Sequence, residues 1–568
     1  MNNTEMKKNG RSNWRITRKM TAAAIAAMLL FTGCAGTTAA AGSDVSAEKT
    51  SAVTETAAAS ESEQFTERDL SGEYDESSSA RITLSGSSAS ADSSASGVSI
   101  DGSTITLSAE GTYIFSGTLT DGQIIVDADD TAKVQIVLNG ADITSSTSAA
   151  VYVRSADKVF VTTAAGSENT LANGGTFTAI DDSNIDGAVF AKDDITFNGS
   201  GSLTVTSPAG HGIVGKDDVK IAGGTLKISA AKHGVQANDS ARFAAADVTI
   251  EAGTDGVHVS DNADEEEGTA SDSYFYISDA DLKIDAGDDG VHADAQALIE
   301  GGSITVSSSY EGIEALEISV SGGDIDVTAS DDGFNAAGGN SSSTDTSSFG
   351  EDDWMGGKGG FPGGGGFSDG GSDGSISISG GNIRITAGGD GVDSNGSVQI
   401  SGGTTVVQGP SQGDTSILDH NVSATITGGT FIGTGGAGMG ETFTSVENQG
   451  LITVSTGSQS AGSTVKLTDS DGNVIAETTP ELDYTAVYIS TADMDANGTY
   501  TLTAGSYSET IQLTDGVYSS MGGGAGMGGK GGMAGGQQNS GGEEMRGGGP
   551  GGHSGMGPGG MDGGSQMQ

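Results

Sequence analysis

One short phrase recurs through the middle of this chain: an acid or histidine, then glycine, an apolar residue and a polar one. It reads His211-Gly212-Ile213, His233-Gly234-Val235, Asp255-Gly256-Val257-His258, Asp289-Gly290-Val291-His292, Glu311-Gly312-Ile313-Glu314, Asp332-Gly333-Phe334-Asn335 and Asp390-Gly391-Val392-Asp393. Its glycines, from Gly212 to Gly391, are separated by 22, 22, 34, 22, 21 and 58 residues, one unit of about 22 with two insertions. A fixed period of this size marks a stacked-repeat architecture, in which equivalent residues of successive coils lie about 4.8 Å apart. Asp255, Asp289, Glu311, Asp332 and Asp390 then form one column, and His258, His292, Glu314, Asn335 and Asp393 a second. Carboxylates at that spacing repel by roughly 1 kcal/mol in water and several times more near a protein surface.

Proton uptake or a bound cation relieves such repulsion, and Ca²⁺ suits it best, taking six to eight oxygens in irregular geometry. The expected metal ligands are Asp255, Asp289, Glu311, Glu314, Asp332, Asn335, Asp390 and Asp393. The glycine permits close backbone approach, so that carbonyls could join the shell. His211 and His233 stand at the acid position, which argues against a calcium site in the first units. His258 and His292 suit zinc or a simple stack of neutral rings equally well. The plain alternative is a set of solvated turns, since Asp-Gly is a favoured turn pair anywhere. Recurrence in register, with acids doubled at Asp288-Asp289 and Asp331-Asp332, favours the cation.

The elements that must hold these columns are short strands. In Gly223-Gly224-Thr225-Leu226-Lys227-Ile228, a Gly-Gly corner leads a strand whose Leu226 and Ile228 point the same way. Val235 and Phe243 supply two further inward positions, so one unit makes three strands and three turns, a coil of a parallel β-helix. Later corners fall at Gly301-Gly302, Gly322-Gly323, Gly380-Gly381, Gly402-Gly403 and Gly428-Gly429. Alternating segments such as Gln123-Ile124-Ile125-Val126 extend the pattern towards the N-terminus, and no segment after residue 34 keeps a helical period. The fold class expected is all-β: a solenoid over 73–440 with insertions at 261–272 and 337–373, and a small β-sandwich-like cap over 445–515. A disordered tether over 34–72 and a Gly/Met-rich tail over 520–568 complete the chain. Asp469-Ser470-Asp471-Gly472-Asn473 reads as a hairpin turn rather than a calcium loop, whose later ligands are missing.

A net charge of −52 excludes nucleic acid and anionic lipid as partners and favours divalent cations. Six basic residues from Lys7 to Lys19 precede the apolar stretch Ala22 to Phe31, a signal peptide over 1–33 that is too short to span a membrane. Leu30-Phe31-Thr32-Gly33-Cys34 resembles a bacterial lipobox, with Cys34 as the lipidated residue and the cell surface as destination. Cys34 is the single cysteine, so no internal disulfide stabilises the exported chain. A monomer is expected.

Ser309-Tyr310-Glu311-Gly312-Ile313-Glu314 and Ser321-Gly322-Gly323-Asp324-Ile325-Asp326-Val327-Thr328-Ala329-Ser330-Asp331-Asp332-Gly333-Phe334-Asn335-Ala336 closely resemble a family of bacterial secreted carbohydrate-binding domains. Gly117-Thr118-Leu119-Thr120-Asp121-Gly122-Gln123-Ile124 looks like that family's opening segment. The resemblance, over about residues 75–515, implies a right-handed parallel β-helix similar to polysaccharide lyases, with calcium and affinity for cellulose and pectin (polygalacturonate). By motif its calcium acids correspond to Asp255, Asp289, Glu311, Glu314, Asp332 and Asp390. Phe334 departs from it by replacing an aliphatic residue. Sugar-stacking candidates are Tyr310 and, in the second insertion, Trp354 and Phe361.

A calcium-dependent pectate lyase on the same fold would need an Arg or Lys base beside the metal. Lys216 and Lys232 lie in the early, acid-poor coils, so no such base is placed and a non-catalytic binder is expected. A structural adhesin, whose calcium only stiffens the rod, is the third reading.

Overall fold

Alternation of small branched residues with polar ones gives strands, and the 22-residue period decides which strands meet. The computed structural model describes residues 64–92, 96–260, 273–337, 374–410, 415–437 and 441–521. The expected lipidation site Cys34, the signal segment, both aromatic candidates Trp354 and Phe361, and the Gly/Met-rich tail lie outside these residues. The chain is all-β: thirty-seven strands form one large sheet and four form a second. The helix among the described residues is Glu67–Leu70, and none there is long and apolar enough to cross a membrane.

Within the large sheet, strands pair in parallel with the strand one unit on, in three ladders that close around a common core. The first ladder follows the Gly-Gly corners, for example Gly224–Ala230 beside Ser202–Ser207. The second follows the acid-Gly corners, with Val235, Val257, Val291, Ile313, Phe334, Val392 and Leu418 in register. A third completes each coil, with Ile221, Phe243 and Ile277 facing inward. All of these inward side chains are fully buried, Phe334 included. Burial of methyl-rich side chains contributes about 1.5–3 kcal/mol each, repeated in every coil.

The column of corner glycines is required by backbone proximity. A Cβ on Gly312 would lie 2.3 Å from the Gly333 carbonyl oxygen and 2.3 Å from Val327 Cγ1. Coils touch there, and any side chain would force them apart.

The last strand of the first ladder, Thr430–Gly435, pairs antiparallel with Tyr484–Thr491, which also pairs with Gly450–Gln459. This turns the exposed ladder edge into a paired one. Val465–Thr468 and Val474–Thr478 form a hairpin in the second sheet, joined by Asp469, whose Oδ1 accepts from the amides of Asp471 and Asn473.

One boundary differs from the sequence expectation. Residues 64–72, assigned above to the tether, pack against the third ladder. Asp69 is fully buried there, 2.7 Å from Lys158 Nζ and 3.7 Å from Lys220 Nζ, and accepts from Thr196 Oγ1 at 2.8 Å. Phe65 is buried against Tyr276. Their partners, from Lys158 to Tyr276, lie far away in sequence, so local composition gives no sign of this docking.

Candidate functional site

Both predicted columns exist. Gln236, His258, His292, Glu314, Asn335, Asp393 and Asp419 occupy one register position along the second ladder. The corner residues before the glycines stack beside them. Gly256 N donates to Asp289 O at 2.9 Å, Gly290 N to Glu311 O at 2.9 Å and Gly333 N to Asp390 O at 2.9 Å.

This backbone pattern gives the glycine carbonyls a partner within the ladder. The glycine carbonyls accept from the preceding coil, as Gly290 O does from Val257 N at 3.2 Å. They run along the stack and serve the ladder instead of facing the carboxylates. The acids themselves share in this work. Asp289 N donates to Asp255 Oδ1 at 3.1 Å, Glu311 N to Asp289 Oδ1 at 3.2 Å and Asp390 N to Asp332 Oδ1 at 2.5 Å. Ser416 N likewise donates to Asp390 Oδ1. One oxygen of these aspartates therefore staples coil to coil, and the other is left for chemistry.

What meets that second oxygen changes along the stack. In the early coils it is histidine. The rings of His211, His233, His258 and His292 stack with centroids 4.9, 4.3 and 4.9 Å apart. The stack crosses from the corner column to the neighbouring one at Asp255, whose Oδ2 lies 3.1 Å from His233 Nδ1 and 2.6 Å from His258 Nδ1. Burial alone would push this carboxyl up, but the two imidazoles hold it well below the usual carboxylate range. His292 is burdened by burial too, yet contacts to Asp289, Asp294 and Glu314 raise it well above an ordinary histidine. Its Nδ1 is 2.5 Å from Glu314 Oε2 and its Nε2 3.2 Å from Asp294 Oδ1. His292 at this point pairs with Asp289 and Glu314, two of the acids that the sequence had grouped as metal ligands.

The later coils are different. Glu311, Asp331, Asp332, Asp390, Asp393 and Asp419 form no ion pair with Lys, Arg or His among the described residues. Asp390, Asp393 and Asp419 each offer an oxygen, all within 4.8 Å of one another. Burial and neighbouring carboxylates raise Glu311, Asp332, Asp390 and Asp393. Glu311 is pushed up to about 8 by burial, Glu314 and Asp289, and Asp332 to about 7 by burial and by Asp331, Asp390 and Asp393. Asp393 reaches about 6 through burial, Asp419 and Asp390. Asn335 Nδ2 donates to Glu311 Oε2 at 2.8 Å, tying the two columns together.

Asp419 was missed in the sequence. Its unit reads Ser416-Ile417-Leu418-Asp419, with Ile417 in place of glycine and Ser416 in place of the acid. The surviving signal is the apolar-Asp pair 26 residues after Val392-Asp393. Tyr310 stands on the same edge, 49% exposed, its amide donating to Asp288 O at 2.7 Å and its hydroxyl bonded to Asp331. That hydrogen bond is the main reason its phenol is raised to about 12.

Residues 101–348 match a family described as carbohydrate-binding domain-containing protein. That segment contains the histidine stack and Tyr310 and ends before Asp390. A carbohydrate-binding domain-containing protein of Acetivibrio thermocellus is 35% identical over 153 residues, which are 27% of this chain and 53% of that protein. The chain thus spans about half the length of the curated relative it matches. Among solved structures, a polysaccharide lyase-like protein from C. thermocellum, in a gadolinium derivative, aligns at 30% identity with a TM-score of 0.36. The alignment covers 44% of this chain and 94% of that one.

Proposed function

We propose that this chain is a non-catalytic, calcium-binding β-helix that holds plant cell-wall polysaccharide, cellulose or pectin, at the bacterial surface, anchored by lipid at Cys34. The three closed ladders are read as the faces of a right-handed parallel β-helix. The observation that carries the reading is the run of later-coil carboxylates, lacking basic partners among the described residues, beside the exposed Tyr310 ring.

The donor set there is all hard oxygen, which suits Ca²⁺ and not a softer metal. Asp390, Asp393 and Asp419 would hold one ion. Glu311, Asp332 and Asn335 would hold another, with Glu314 and Asp289, which His292 already engages, at its margin. Bound calcium would supply positive charge to an otherwise acidic edge and so let an anionic uronate approach it. Tyr310 supplies a flat apolar face for a sugar ring, a role extended to Trp354 and Phe361. The match of residues 101–348 to carbohydrate-binding domains supports the class of ligand.

The test is retention of the full chain on cellulose and on polygalacturonate, with calcium or with chelator, while unsaturated uronides are assayed. The reading expects retention without product, with chelation abolishing pectin binding more than cellulose binding. Unsaturated product would make the chain a lyase, and failure to be retained on either polymer would make it a scaffold.

A further inference from the structure

We infer that His233, Asp255 and His258 form a separate site for a borderline transition metal, Zn²⁺ by class, one coil before the acid-rich run. The three side chains come from two different columns and meet because the histidine stack changes column at Asp255. Their ligand atoms all lie within 4.8 Å of one another.

Protons do not satisfy the contacts at this point. His233 Nδ1 is 3.1 Å from Asp255 Oδ2, an acceptor, and 3.3 Å from the Asp255 amide, a donor. A proton on Nδ1 serves the carboxylate but opposes the amide hydrogen. Without that proton, two lone pairs face each other across 3.1 Å. Thr254 Oγ1, 2.9 Å from the same nitrogen, can rotate its hydroxyl to suit either case and so decides nothing. A cation between nitrogen and oxygen removes the conflict for the stronger pair, because both atoms then donate to it.

The spacing and chemistry agree. Ligands about 2.0–2.1 Å from a metal and about 90–110° apart are roughly 3.0–3.4 Å from each other. The observed separations to Asp255 Oδ2 are 3.1 and 2.6 Å, so His258 needs to move outward by only a few tenths of an ångström. Two imidazoles and one carboxylate suit zinc and leave a fourth position open, whereas calcium avoids nitrogen. His211, 6% exposed and stacked on His233, has a buried Nδ1 with no hydrogen-bond partner, so the stack holds one more unused nitrogen. The next cluster, Asp289, His292 and Glu314, has a single imidazole already engaged by carboxylates on both nitrogens.

The experiment titrates ZnCl₂ into the full chain by calorimetry, with calcium in excess to fill the oxygen sites. One zinc should bind, with affinity reduced about a hundredfold or more in H258Q and in D255N, and retained in H292Q and in H553Q, the latter replacing the histidine of the Gly/Met-rich tail. H233Q serves in the same way if H258Q fails to fold. Co²⁺ added to the wild-type chain should give the intense visible bands of a low-coordinate, nitrogen-containing site. Absence of zinc uptake by the wild-type chain, equal uptake by H233Q and H258Q, or loss in H292Q instead would each overturn the assignment.

Discussion

Replacing Asp393 by Asn tests the later-coil carboxylates with a change of sign. Asp393 shares a 4.8 Å cluster with Asp390 and Asp419, and burial plus these neighbours push its carboxyl up to about 6. Two unit charges at that separation repel by roughly 1 kcal/mol in water and about 3 kcal/mol near a protein surface. Discounted for its partial exposure, the raised pKa corresponds to roughly 1–2 kcal/mol of burial cost and repulsion together at pH 8. In EDTA, D393N should therefore be more stable than the wild type by about that amount. The sign follows from linkage. The folded chain holds this proton more tightly than the unfolded one, so metal-free stability falls as pH rises from about 4 through about 6. Calcium is expected to invert the comparison. At about a hundred times its dissociation constant it stabilises the wild type by about 2.7 kcal/mol, but a ligand set weakened a hundredfold gains only about 0.4 kcal/mol. Thermal melts at pH 8, in EDTA and in calcium, read both numbers. The reasoning fails if D393N melts below the wild type in EDTA, or if calcium raises both proteins equally.

Asp69→Asn leaves Lys158 and Lys220 facing each other without their carboxylate and should cost about 3–5 kcal/mol, measured by urea denaturation. Burial opposes its ionisation, yet the lysines hold Asp69 down to about 2, so its stabilisation is full above pH 4 and lost as pH falls towards 2. Gly312→Ala forces a methyl into the Gly333 carbonyl and should cost about 2 kcal/mol or more by the same assay, whereas Gly102→Ala, with open space around it, should cost about 1 kcal/mol through its φ of +62° alone. Tyr310→Ala should weaken retention on cellulose by about fivefold with the melting temperature held within about 1 °C, because the ring is half exposed and packs little.

The sequence by itself determined the strands, their register and the two polar columns. A 22-residue period leaves no freedom in what stacks on what, since a slip of one residue would turn Val257 and Val291 outward. It determined the glycine column for the same reason, because coils in contact exclude a Cβ. Tertiary structure alone decided which acids have partners. His233 and His258 belong to different columns, and only the path of the backbone through the corner brings both to Asp255. His292 then pairs with Asp289 and Glu314, which sequence spacing had grouped with the metal ligands. Asp419 entered the site through a coil that had lost its glycine, and residues 64–72 found their place through contacts far away in sequence. Periodicity reports neighbours along the stack. It carries no information on where side chains from adjacent columns converge, and convergence is what separates the histidine coils from those whose carboxylates have no basic partner among the described residues.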